Sequence, residues 1–592
     1  MRIPFVLLPF ALAACSAATT SSPVEITGTW GGANAGLIVN ATDVHVHIGC
    51  TVGDATGPIH TDANSRFDAD GTYNVDAYPV DRGIIHPAHF SGQINGLTMT
   101  LTVTLSDTAR TLGPVTLVYG KEPKMGPCPI CRKPTGMRAA NTVAAKDVAG
   151  VHDWTRFGWD AGRSNSSVDP TGITAANVST MRRQQVTLDG TVDASPIYLH
   201  GVRIRGALHD AFFVTTTFGK TIAIDSDTGA ILWEFTPTGY ESWAGSRRIT
   251  TSTPVADPDR QFIYASSPDG NIQKLAVADG RVAWTTSITR LPTREKIAAP
   301  LNYFRGRIIA TTGGYIGDAP PYQGHVAILD AASGRLLHVW NSLCSDRREL
   351  IDPNSCRENG SAIWGRAAPV VDTTSGDIYF ATGDGKWDGR TMWGDAVIAL
   401  NSDATNIVDN YTPTNTEELD DRDGDLGSTS PALLGGYVVQ SGKDRKMRVI
   451  PFGRTRGATP RRGGESQISS TPSGQGLFSA PAVARIGNTT WVFAADFGGT
   501  AAWTFNRDHL ETRWQNRTGG TSPVVAGGLL YVYDPDGGLR VYDSTSGRAI
   551  ATLESGGGHW NSPIIVDGRI ALPEGNANQH KTTGILNIWR LP

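Results

Sequence analysis

The sequence predicts an all-β protein, an eight-bladed β-propeller preceded by a small antiparallel β-barrel or sandwich. One observation is a short pattern of Pro, apolar strand and Gly that recurs eight times after residue 153. A second is the alternation of apolar and polar residues within residues 24–135, which is the period of half-buried strands. The third is the length, since 592 residues exceed what one compact core organises unless the architecture repeats.

Composition and charge exclude several classes of protein. The chain is 39% apolar and 18% charged, with a formal net charge of −4, which gives no general attraction to nucleic acid or anionic membranes. Six Cys exclude a disulfide framework, and the lack of any apolar run of about 20 residues excludes a polytopic membrane protein. A basic run at residues 443–462 contains one aromatic residue, Phe452, so we interpret it as a solvated face and not as a nucleic-acid surface.

The first residues predict export. Met1 and Arg2 precede a mostly apolar stretch to Ala14, which is too short to span a bilayer and is typical of a secretory signal. The stretch ends in Leu-Ala-Ala-Cys, which resembles a bacterial lipobox and implies that Cys15 becomes the lipidated first residue. We therefore predict a signal peptide over residues 1–14 and a periplasmic or cell-envelope location, with a membrane anchor at Cys15.

Residues 24–135 predict the small β domain, and residues 136–152 predict a linker rich in Ala. Runs such as 43–48 and 97–105 alternate between apolar and polar residues, and turn clusters rich in Asp, Asn and Gly separate such runs. About five to eight short antiparallel strands fit this length, which favours a barrel or a sandwich.

Three cysteines of this small domain leave their pairing open. In an oxidising compartment we expect Cys50 to form a disulfide with Cys128 or Cys131. A redox role for the CxxC pair is disfavoured, because such a pair normally opens a helix in a βαβ unit. Zinc is the remaining alternative, with these thiols as ligands together with one of the nearby histidines, His45, His47 or His60.

The repeats predict the propeller. Pro is tolerated at the first position of a strand because its missing N–H is not yet needed there, and Gly supplies the positive φ of a tight turn. The repeated prolines are Pro196, Pro254, Pro300, Pro369, Pro431, Pro481, Pro523 and Pro563. The glycines that follow them are Gly219, Gly270, Gly324, Gly394, Gly442, Gly499, Gly538 and Gly584.

One such unit cannot bury its own faces, so eight four-stranded units must stack and close in a ring. Trp233, Trp284 and Trp514 fall where large rings can wedge between neighbouring units. We predict that the last strand, residues 585–590, shares a blade with a strand just before Ser195 and thereby closes the ring.

The repeats also resemble a known family. Residues 223–233 resemble the tryptophan-docking repeat of pyrroloquinoline-quinone (PQQ) propellers, and residues 154–158 with 173–178 are similar to the opening of quinoprotein alcohol dehydrogenases. The resemblance covers about residues 153–592. This propeller serves quinoprotein dehydrogenases and also a non-enzymatic lipoprotein of the outer-membrane-protein assembly machinery, so the resemblance implies the fold more specifically than the activity.

The resemblance implies a site for PQQ and Ca²⁺ over the central channel. Asp384 and Trp387 belong to a stretch, Ala-Thr-Gly-Asp-Gly-Lys-Trp, that resembles the family's Thr-Gly-Asn-x-x-Pro-Trp. This implies that Asp384 is a metal ligand and that Trp387 is a cofactor contact. Lys443 resembles the cation that contacts the quinone oxygens, and Asp425, or Asp423 beside it, stands near the position of the catalytic base.

Three features depart from the family pattern. Tyr315 stands about where the family has a Glu metal ligand, and Asp318 is the nearby carboxylate. The vicinal Cys pair of the family is absent, and Trp243 and Arg248 stand in that region as predicted cofactor contacts. Covalent haem needs His after the second Cys of the CxxC pair, and Arg132 stands there, so no haem is expected and an enzyme would need a separate electron acceptor.

Two functions remain open. One is a PQQ- and Ca²⁺-dependent dehydrogenase of alcohols or sugars, and the other is a lipid-anchored propeller that holds a partner protein or glycan. We expect a monomer with a small-molecule or protein ligand at the propeller face. Cys344 and Cys356 bracket a long insertion in one blade, and a disulfide between them is expected in an exported chain.

Overall fold

The computed structural model describes residues 25–39, 43–49, 51–75, 85–108, 110–121, 153–315, 319–454 and 456–592. These residues form two compact units, one before and one after residue 139. Within the described ranges, no helix is long and apolar enough to cross a bilayer. The predicted sites at Cys15, Cys50, Cys128, Cys131 and Asp318 lie outside the described residues.

The first unit contains a closed barrel of eight antiparallel strands, in which each strand pairs with the next and the last pairs with the first. Apolar side chains such as Val46, Phe90 and Leu101, each at most 1% exposed, fill its interior. A ribbon of Glu25–Ile26 and Ile59–His60 accompanies it. The barrel strands are Gly28–Gly32, Ala35–Val39, Asp43–Ile48, Thr51–Thr56, Arg66–Asn74, His86–Asn95, Thr98–Leu105 and Thr111–Tyr119. The predicted small β domain is confirmed, and closure decides for the barrel over the sandwich.

The second unit is a propeller of eight four-stranded antiparallel sheets, which confirms the predicted fold. We number the blades by the order of their first strands along the chain. Blade 1 contains Ile197–Ile204, Ala207–Thr215, Thr221–Asp225 and Ile231–Phe235. Blade 2 contains Val255–Ala256, Phe262–Ser266, Asn271–Ala276 and Val282–Ser287. Blade 3 contains Asn302–Phe304, Arg307–Thr311, His325–Asp330 and Leu336–Asn341, and blade 4 contains Val370–Val371, Ile378–Ala381, Val397–Leu400 and Ile407–Tyr411.

The remaining four blades complete the ring. Blade 5 contains Ala432–Leu433, Tyr437–Gln440, Lys446–Pro451 and Gln467–Ser470, and blade 6 contains Ala482–Ile486, Thr489–Ala495, Thr500–Asn506 and His509–Asn516. Blade 7 contains Val524–Ala526, Leu529–Asp534, Gly538–Asp543 and Ala549–Leu553. Blade 8 contains Ile564–Val566, Arg569–Glu574, Gly584–Arg590 and Arg182–Leu188.

Short elements join the blades. A ribbon pairs Glu295–Lys296 with Gly313–Gly314, and the connection from blade 4 to blade 5 holds the short α-helix Thr416–Asp421. The 3₁₀ turns are Val178–Thr180, Tyr240–Ser242, Pro353–Ser355, Leu426–Ser428 and Ala577–Gln579.

The repeated prolines occupy equivalent positions. Each lies directly before the first strand of its blade, except that Pro300 lies two residues before. Hydroxyls beside these prolines link neighbouring blades: Ser195 Oγ donates to the Ser562 carbonyl at 3.0 Å, and Ser562 Oγ donates to the Ser522 carbonyl at 3.2 Å. The repeated glycines precede or open the third strand of each blade. The first and second strands therefore both lie between the repeated proline and the glycine.

Blade 8 closes the ring as predicted. Its outer strand Arg182–Leu188 comes from the beginning of the propeller, and it pairs along its whole length with Gly584–Arg590 at the end. The two ends of the propeller are therefore held in one sheet.

Tryptophans wedge between neighbouring units as predicted. Trp233 Nε1 donates to the carbonyl of Val277 at 2.8 Å, and its ring covers Gly280, where a Cβ would lie 2.6 Å from the ring. Trp284 covers Gly334 and Trp514 covers Gly547 in the same way. Each ring thus fills the gap between its own blade and a turn of the next.

The segment 154–171 ties the blades together on the face opposite the prolines. It lies along first strands, where backbone N–H groups of blades 1, 2, 4, 6, 7 and 8 donate to its carbonyl oxygens at 2.8–2.9 Å. Its Arg163 is 2% exposed and donates to the carbonyl of Leu301 at 2.8 Å. This segment crosses the channel on that face, and the predicted site lies on the other.

Candidate active site

Four side chains from blades 4 and 5 and their connections meet on the face that carries the prolines. Because neighbouring strands run antiparallel, the connections between blades and the turns between second and third strands share one face. Asp384 follows the second strand of blade 4, and Lys443 follows the second strand of blade 5. Trp364 lies in the connection into blade 4, and Asp425 lies in the connection into blade 5.

Asp425 is the centre of this cluster. Lys443 Nζ lies 3.1 Å from Asp425 Oδ2, and Trp364 Nε1 donates to the same oxygen at 3.1 Å. The backbone N–H of Asp425 donates to Asp384 Oδ1 at 3.2 Å. Lys443 also forms an ion pair with Asp423. The structure therefore brings three of the predicted residues, Asp384, Asp425 and Lys443, into one site.

The carboxyl groups suit a hard cation. Asp384, Asp423 and Asp425 each offer one oxygen, and these oxygens lie within 4.8 Å of one another. Asp425 is 4% exposed, whereas the Asp423 side chain is 68% exposed. Carboxylate oxygens are the ligands that Ca²⁺ prefers, and Lys443 supplies only one positive charge to three acids. This donor set can accept a metal ion.

Two glycines allow the close approach of these loops. A Cβ on Gly383 would lie 2.3 Å from Asp425 Oδ1, and one on Gly442 would lie 2.6 Å from the Asp425 carbonyl oxygen. The backbone N–H of Lys443 donates to that carbonyl at 3.0 Å. A side chain at either glycine would displace Asp425.

Burial and the neighbouring charges set the protonation of Asp384 and Lys443. Burial and the neighbouring carboxylates of Asp425, Asp423 and Asp395 raise the pKa of Asp384 to about 9, and Lys443 opposes them only in part. Burial favours the neutral amine of Lys443, but the carboxylates of Asp425 and Asp423 outweigh it and raise its pKa above the usual range. Without a cation, Asp384 therefore keeps its proton at neutral pH, and a bound cation would displace that proton.

Asp395 is a fourth acid, which the sequence analysis missed. It is fully buried, and its Oδ1 accepts the backbone N–H of Leu426 at 2.9 Å. Its Oδ2 has no hydrogen-bond partner within the described parts of the chain. Burial and the charge of Asp425 raise the pKa of Asp395 well above its usual value. As a neutral acid it holds the backbone directly after Asp425, a role that no motif around it signals.

Trp364 is the second residue that the sequence analysis missed. Its half-buried ring donates to Asp425, lies 5.7 Å from Lys443 Nζ and lies 6.1 Å from the ring of Phe478. It belongs to none of the repeated patterns of the sequence. Its part in the site follows only from the fold, which brings the connection that carries Asp425 beside it.

Trp387 follows Asp384 by three residues and contacts Arg462. Its ring centre lies 5.2 Å from the guanidinium of Arg462, and its backbone forms a bridge with Trp393. Among the described contacts, none joins Trp387 to Asp425 or Lys443. The role of Trp387 as a cofactor contact stays a prediction.

Trp243, Arg248 and Tyr315 form a separate cluster between blades 1 and 3. The Arg248 guanidinium lies 5.4 Å from the centre of the Trp243 ring. Tyr315 Oη lies 2.8 and 2.9 Å from the carbonyl oxygens of Pro268 and Pro292. In the part of the chain that the structure describes, no contact links this cluster to Asp384 or Lys443.

A buried ion pair crosses the channel beside the site. Arg366, from the connection into blade 4, donates to the carbonyl of Thr251 at 3.0 Å and lies 3.6 Å from Asp193 Oδ1. His559 Nδ1 lies 2.8 Å from Asp193 Oδ2. Burial favours the neutral form of Asp193, but His559 and Arg366 outweigh it and lower its pKa to about 2. These contacts of Arg366 and Asp193 join the connections that lead into blades 1, 2, 4 and 8.

A disulfide staples the insertion next to Asp384. The structure joins Cys344 and Cys356, the pairing expected from the sequence. Backbone hydrogen bonds of 2.9 Å join residues 342–345 to the loop that follows Asp384. Ser361, at the end of the insertion, donates its N–H to the Asp384 carbonyl at 2.8 Å. The insertion therefore buttresses the loop that carries Asp384.

Acidic partners neutralise much of the basic run 443–462. Besides Lys443, the paired residues are Arg448 with Asp444, Arg454 with Asp377 and Arg462 with Glu417. The Arg448 side chain is 1% exposed, which corrects the expectation of a wholly solvated face.

The eight-bladed ring, its docking tryptophans and the acid–lysine cluster define a propeller of the PQQ type. The chain belongs to this family: the family model described as "Outer membrane protein assembly factor BamB" matches residues 166–461, half of the 592 residues. The family expected from the sequence is thereby confirmed.

The chain is related to alcohol dehydrogenases. A polyvinylalcohol dehydrogenase of Pseudomonas sp is 22% identical over 472 residues, 70% of this chain and 69% of that protein. The quinohemoprotein alcohol dehydrogenase ADH-IIG of Pseudomonas putida is 21% identical over 44% of this chain and 37% of that protein.

Solved structures share the fold. The quinohemoprotein alcohol dehydrogenase of Comamonas testosteroni superposes with a TM-score of 0.55 at 16% identity, covering 74% of this chain and 81% of that one. A europium-containing methanol dehydrogenase gives 0.54 at 15% identity, covering 74% and 98%.

Proposed function

We propose that the protein is a quinoprotein dehydrogenase that oxidises alcohols with PQQ and Ca²⁺ bound over the channel. The observation that carries the proposal is the meeting of Asp384, Asp425 and Lys443 around Trp364. A cluster of acids with perturbed pKa values around one lysine is typical of a functional site, and a propeller that served only as a scaffold has no need of it.

The residues present fit both groups. Burial and the neighbouring acids raise the pKa of Asp384 to about 9, and Ca²⁺ would offset the repulsion between those acids. Lys443 offers a cation and Trp364 an aromatic face, which suits an anionic aromatic quinone. Asp384 would hold the metal, and Lys443 would neutralise a quinone oxygen.

Bound PQQ would accept the two electrons of the alcohol. Asp425 would take the hydroxyl proton; in support, Lys443 and Trp364, each at 3.1 Å, favour its ionised form, which is the form that can accept a proton. Asp395 holds the backbone after Asp425 through Leu426, which keeps the base in position.

The relatives support alcohols as the substrate class. The relative named polyvinylalcohol dehydrogenase makes a polymeric alcohol the first substrate to test, beside small alcohols and sugars. Because Arg132 follows Cys131, where covalent haem needs His, we propose that electrons pass to a separate acceptor.

We also propose that the protein is exported and lipid-anchored. The support is the signal-like stretch 1–14 and the lipobox-like end at Cys15. Mass spectrometry of the mature N-terminus tests this: an acylated Cys15 supports it, and an unprocessed Met1 contradicts it.

The direct test is addition of PQQ and Ca²⁺ to the purified protein. We expect saturable binding at micromolar PQQ, seen as a change in visible absorbance, and dye-linked oxidation of polyvinyl alcohol or small alcohols. Chelation of Ca²⁺ should abolish the oxidation and Ca²⁺ should restore it. Absence of PQQ binding with Ca²⁺ present overturns the proposal.

The family model's description favours a second candidate, a scaffold that binds a partner protein at the propeller face. Under that function neither PQQ nor Ca²⁺ should bind, and substitutions at Asp384 or Lys443 should leave partner binding unchanged. The same titration separates the two candidates.

A further inference from the structure

Four aromatic side chains form a continuous surface on the face of the candidate site. Phe478 lies at its centre, with ring distances of 6.1 Å to Trp364, 5.4 Å to Phe497 and 5.5 Å to Trp560. We call these four residues the aromatic strip. They come from three connections between blades and from a turn of blade 6. The strip begins at the candidate site, because Trp364 donates to Asp425.

The exposed end of the strip is held rigidly. Phe497 is 65% exposed, yet its turn is fixed by the adjacent Asp496, which is 2% exposed. The Asp496 carboxylate accepts the N–H groups of Ser473 at 2.7 Å and Gly499 at 2.8 Å. Burial of a Phe ring is favourable, so a rigid turn that presents one to solvent indicates a binding surface.

A polar side chain, His559, lies beside Trp560 of the strip. The His559 ring lies 4.3 Å from the Trp560 ring, and its side chain is 24% exposed. Its Nδ1 contacts Asp193, and its Nε2 has no hydrogen bond within the described ranges, so it can form one with a hydroxyl, which both donates and accepts. Aromatic faces bind C–H surfaces. The polar groups beside the strip, Asp425 at Trp364 and His559 at Trp560, can bind hydroxyls.

We propose that the aromatic strip binds the carbon chain of an extended polyol while one of its hydroxyl groups lies at Asp425. The inference rests on the proposed function and names its substrate class. The two steps from Trp364 to Trp560, 6.1 and 5.5 Å, exceed the length of a short monohydric alcohol. Only an extended substrate gains contacts with the whole strip, and such remote contacts contribute to kcat/KM.

The test compares maltitol, an extended polyol, with isopropanol as substrates of Phe497→Ala. We expect kcat/KM for maltitol to fall about tenfold, mainly through KM, and that for isopropanol to stay within about twofold. Ile468→Ala, which removes another exposed apolar residue (55%) from the outer strand of blade 5, should change neither. An equal loss for both alcohols in Phe497→Ala overturns the proposal.

Binding to the apoprotein gives a readout that does not need activity. Maltitol should quench or shift the tryptophan fluorescence of the wild type in a saturable way, and Phe497→Ala should bind it several-fold more weakly. No maltitol binding by the wild type contradicts the strip as a polyol subsite. A matching loss of PQQ affinity in Phe497→Ala would assign the strip to the cofactor and also contradict it. If the wild type binds no PQQ, the proposed function fails. The fluorescence titration then still shows whether the aromatic strip binds maltitol.

Discussion

Lys443 Nζ lies 3.1 Å from Asp425 Oδ2. The same two residues are also joined through the backbone, where Lys443 N donates to the Asp425 carbonyl at 3.0 Å. The two side chains are only 19% and 6% exposed. A pair this far removed from water leaves an uncompensated charge when one partner is removed. It joins the turn of blade 5 to the connection before it, and it is the most sensitive point of the candidate site.

Lys443→Ala should weaken PQQ binding by roughly 1.5–3 kcal/mol, because a charge-assisted hydrogen bond to the anionic quinone is lost. Titration of the purified variant with PQQ in the presence of Ca²⁺ measures the loss. The matched control is Lys446→Ala, which removes an exposed lysine three residues further along blade 5 and should bind PQQ like the wild type. Equal affinity of Lys443→Ala and the wild type contradicts the assignment of Lys443.

The affinity for Ca²⁺ should rise with pH. Since the pKa of Asp384 is about 9, the metal must displace a proton below that pH, and its affinity should gain up to about tenfold per pH unit. Isothermal titration calorimetry in buffers of different ionisation enthalpy measures both the affinity and the released proton. A Ca²⁺ affinity that does not change with pH, or binding without proton release, speaks against Asp384 as a ligand.

Asp384→Asn should reduce the pH dependence of stability in the absence of metal. The folded-state pKa of about 9 lies above the unfolded value of about 3.9, so the folded protein holds the extra proton between these values and loses stability as pH rises. Asn cannot ionise, so the variant's free energy of unfolding should fall less from about pH 6 to about pH 8. Urea unfolding measures this. Asp536→Asn, on an exposed turn of blade 7, should behave like the wild type.

Loss of the disulfide should loosen the loop of Asp384. The variant with Cys344→Ser and Cys356→Ser should lose about 2–3 kcal/mol of stability, the usual effect of opening a short closed loop. Its Ca²⁺ affinity should also fall several-fold, because the insertion is bonded to the Asp384 backbone. Denaturant unfolding and Ca²⁺ titration measure the two effects. Reductant should lower the Ca²⁺ affinity of the wild type to that of the variant and leave the variant's Ca²⁺ affinity unchanged. A double variant that binds Ca²⁺ like the wild type would show that the insertion does not support the site.

The docking of Trp233 can be tested at a glycine. Gly280→Ala should destabilise the propeller by about 2–4 kcal/mol, because the new Cβ would lie 2.6 Å from the buried Trp233 ring at a positive φ. Gly306→Ala has nearly the same φ, +77° against +74°, but its Cβ meets nothing within 4 Å, so only the backbone cost of about 1 kcal/mol remains. Equal midpoints of thermal unfolding would show that Trp233 does not restrain Gly280.

Much of the fold is readable from local patterns. The prolines before each first strand, the glycines near each third strand and the docking tryptophans are local requirements of turns, strand starts and close packing. They recur with every blade, so eight copies predict eight blades. The strand pairing of the N-terminal unit is equally local, because each barrel strand pairs with its neighbour in the chain.

The sequence by itself determined the ring, its closure and the presence of Asp384, Asp425 and Lys443 as candidates. Only the tertiary structure decided that these three meet around Asp425, that Trp364 donates to Asp425, and that the buried Asp395 holds the backbone directly after Asp425. The residues of a repeat are determined by the turns, strand starts and packing of their own blade. A site on a propeller face is built between blades, so its distances depend on how adjacent blades are rotated and on which loops approach closely. No single-blade pattern contains that information.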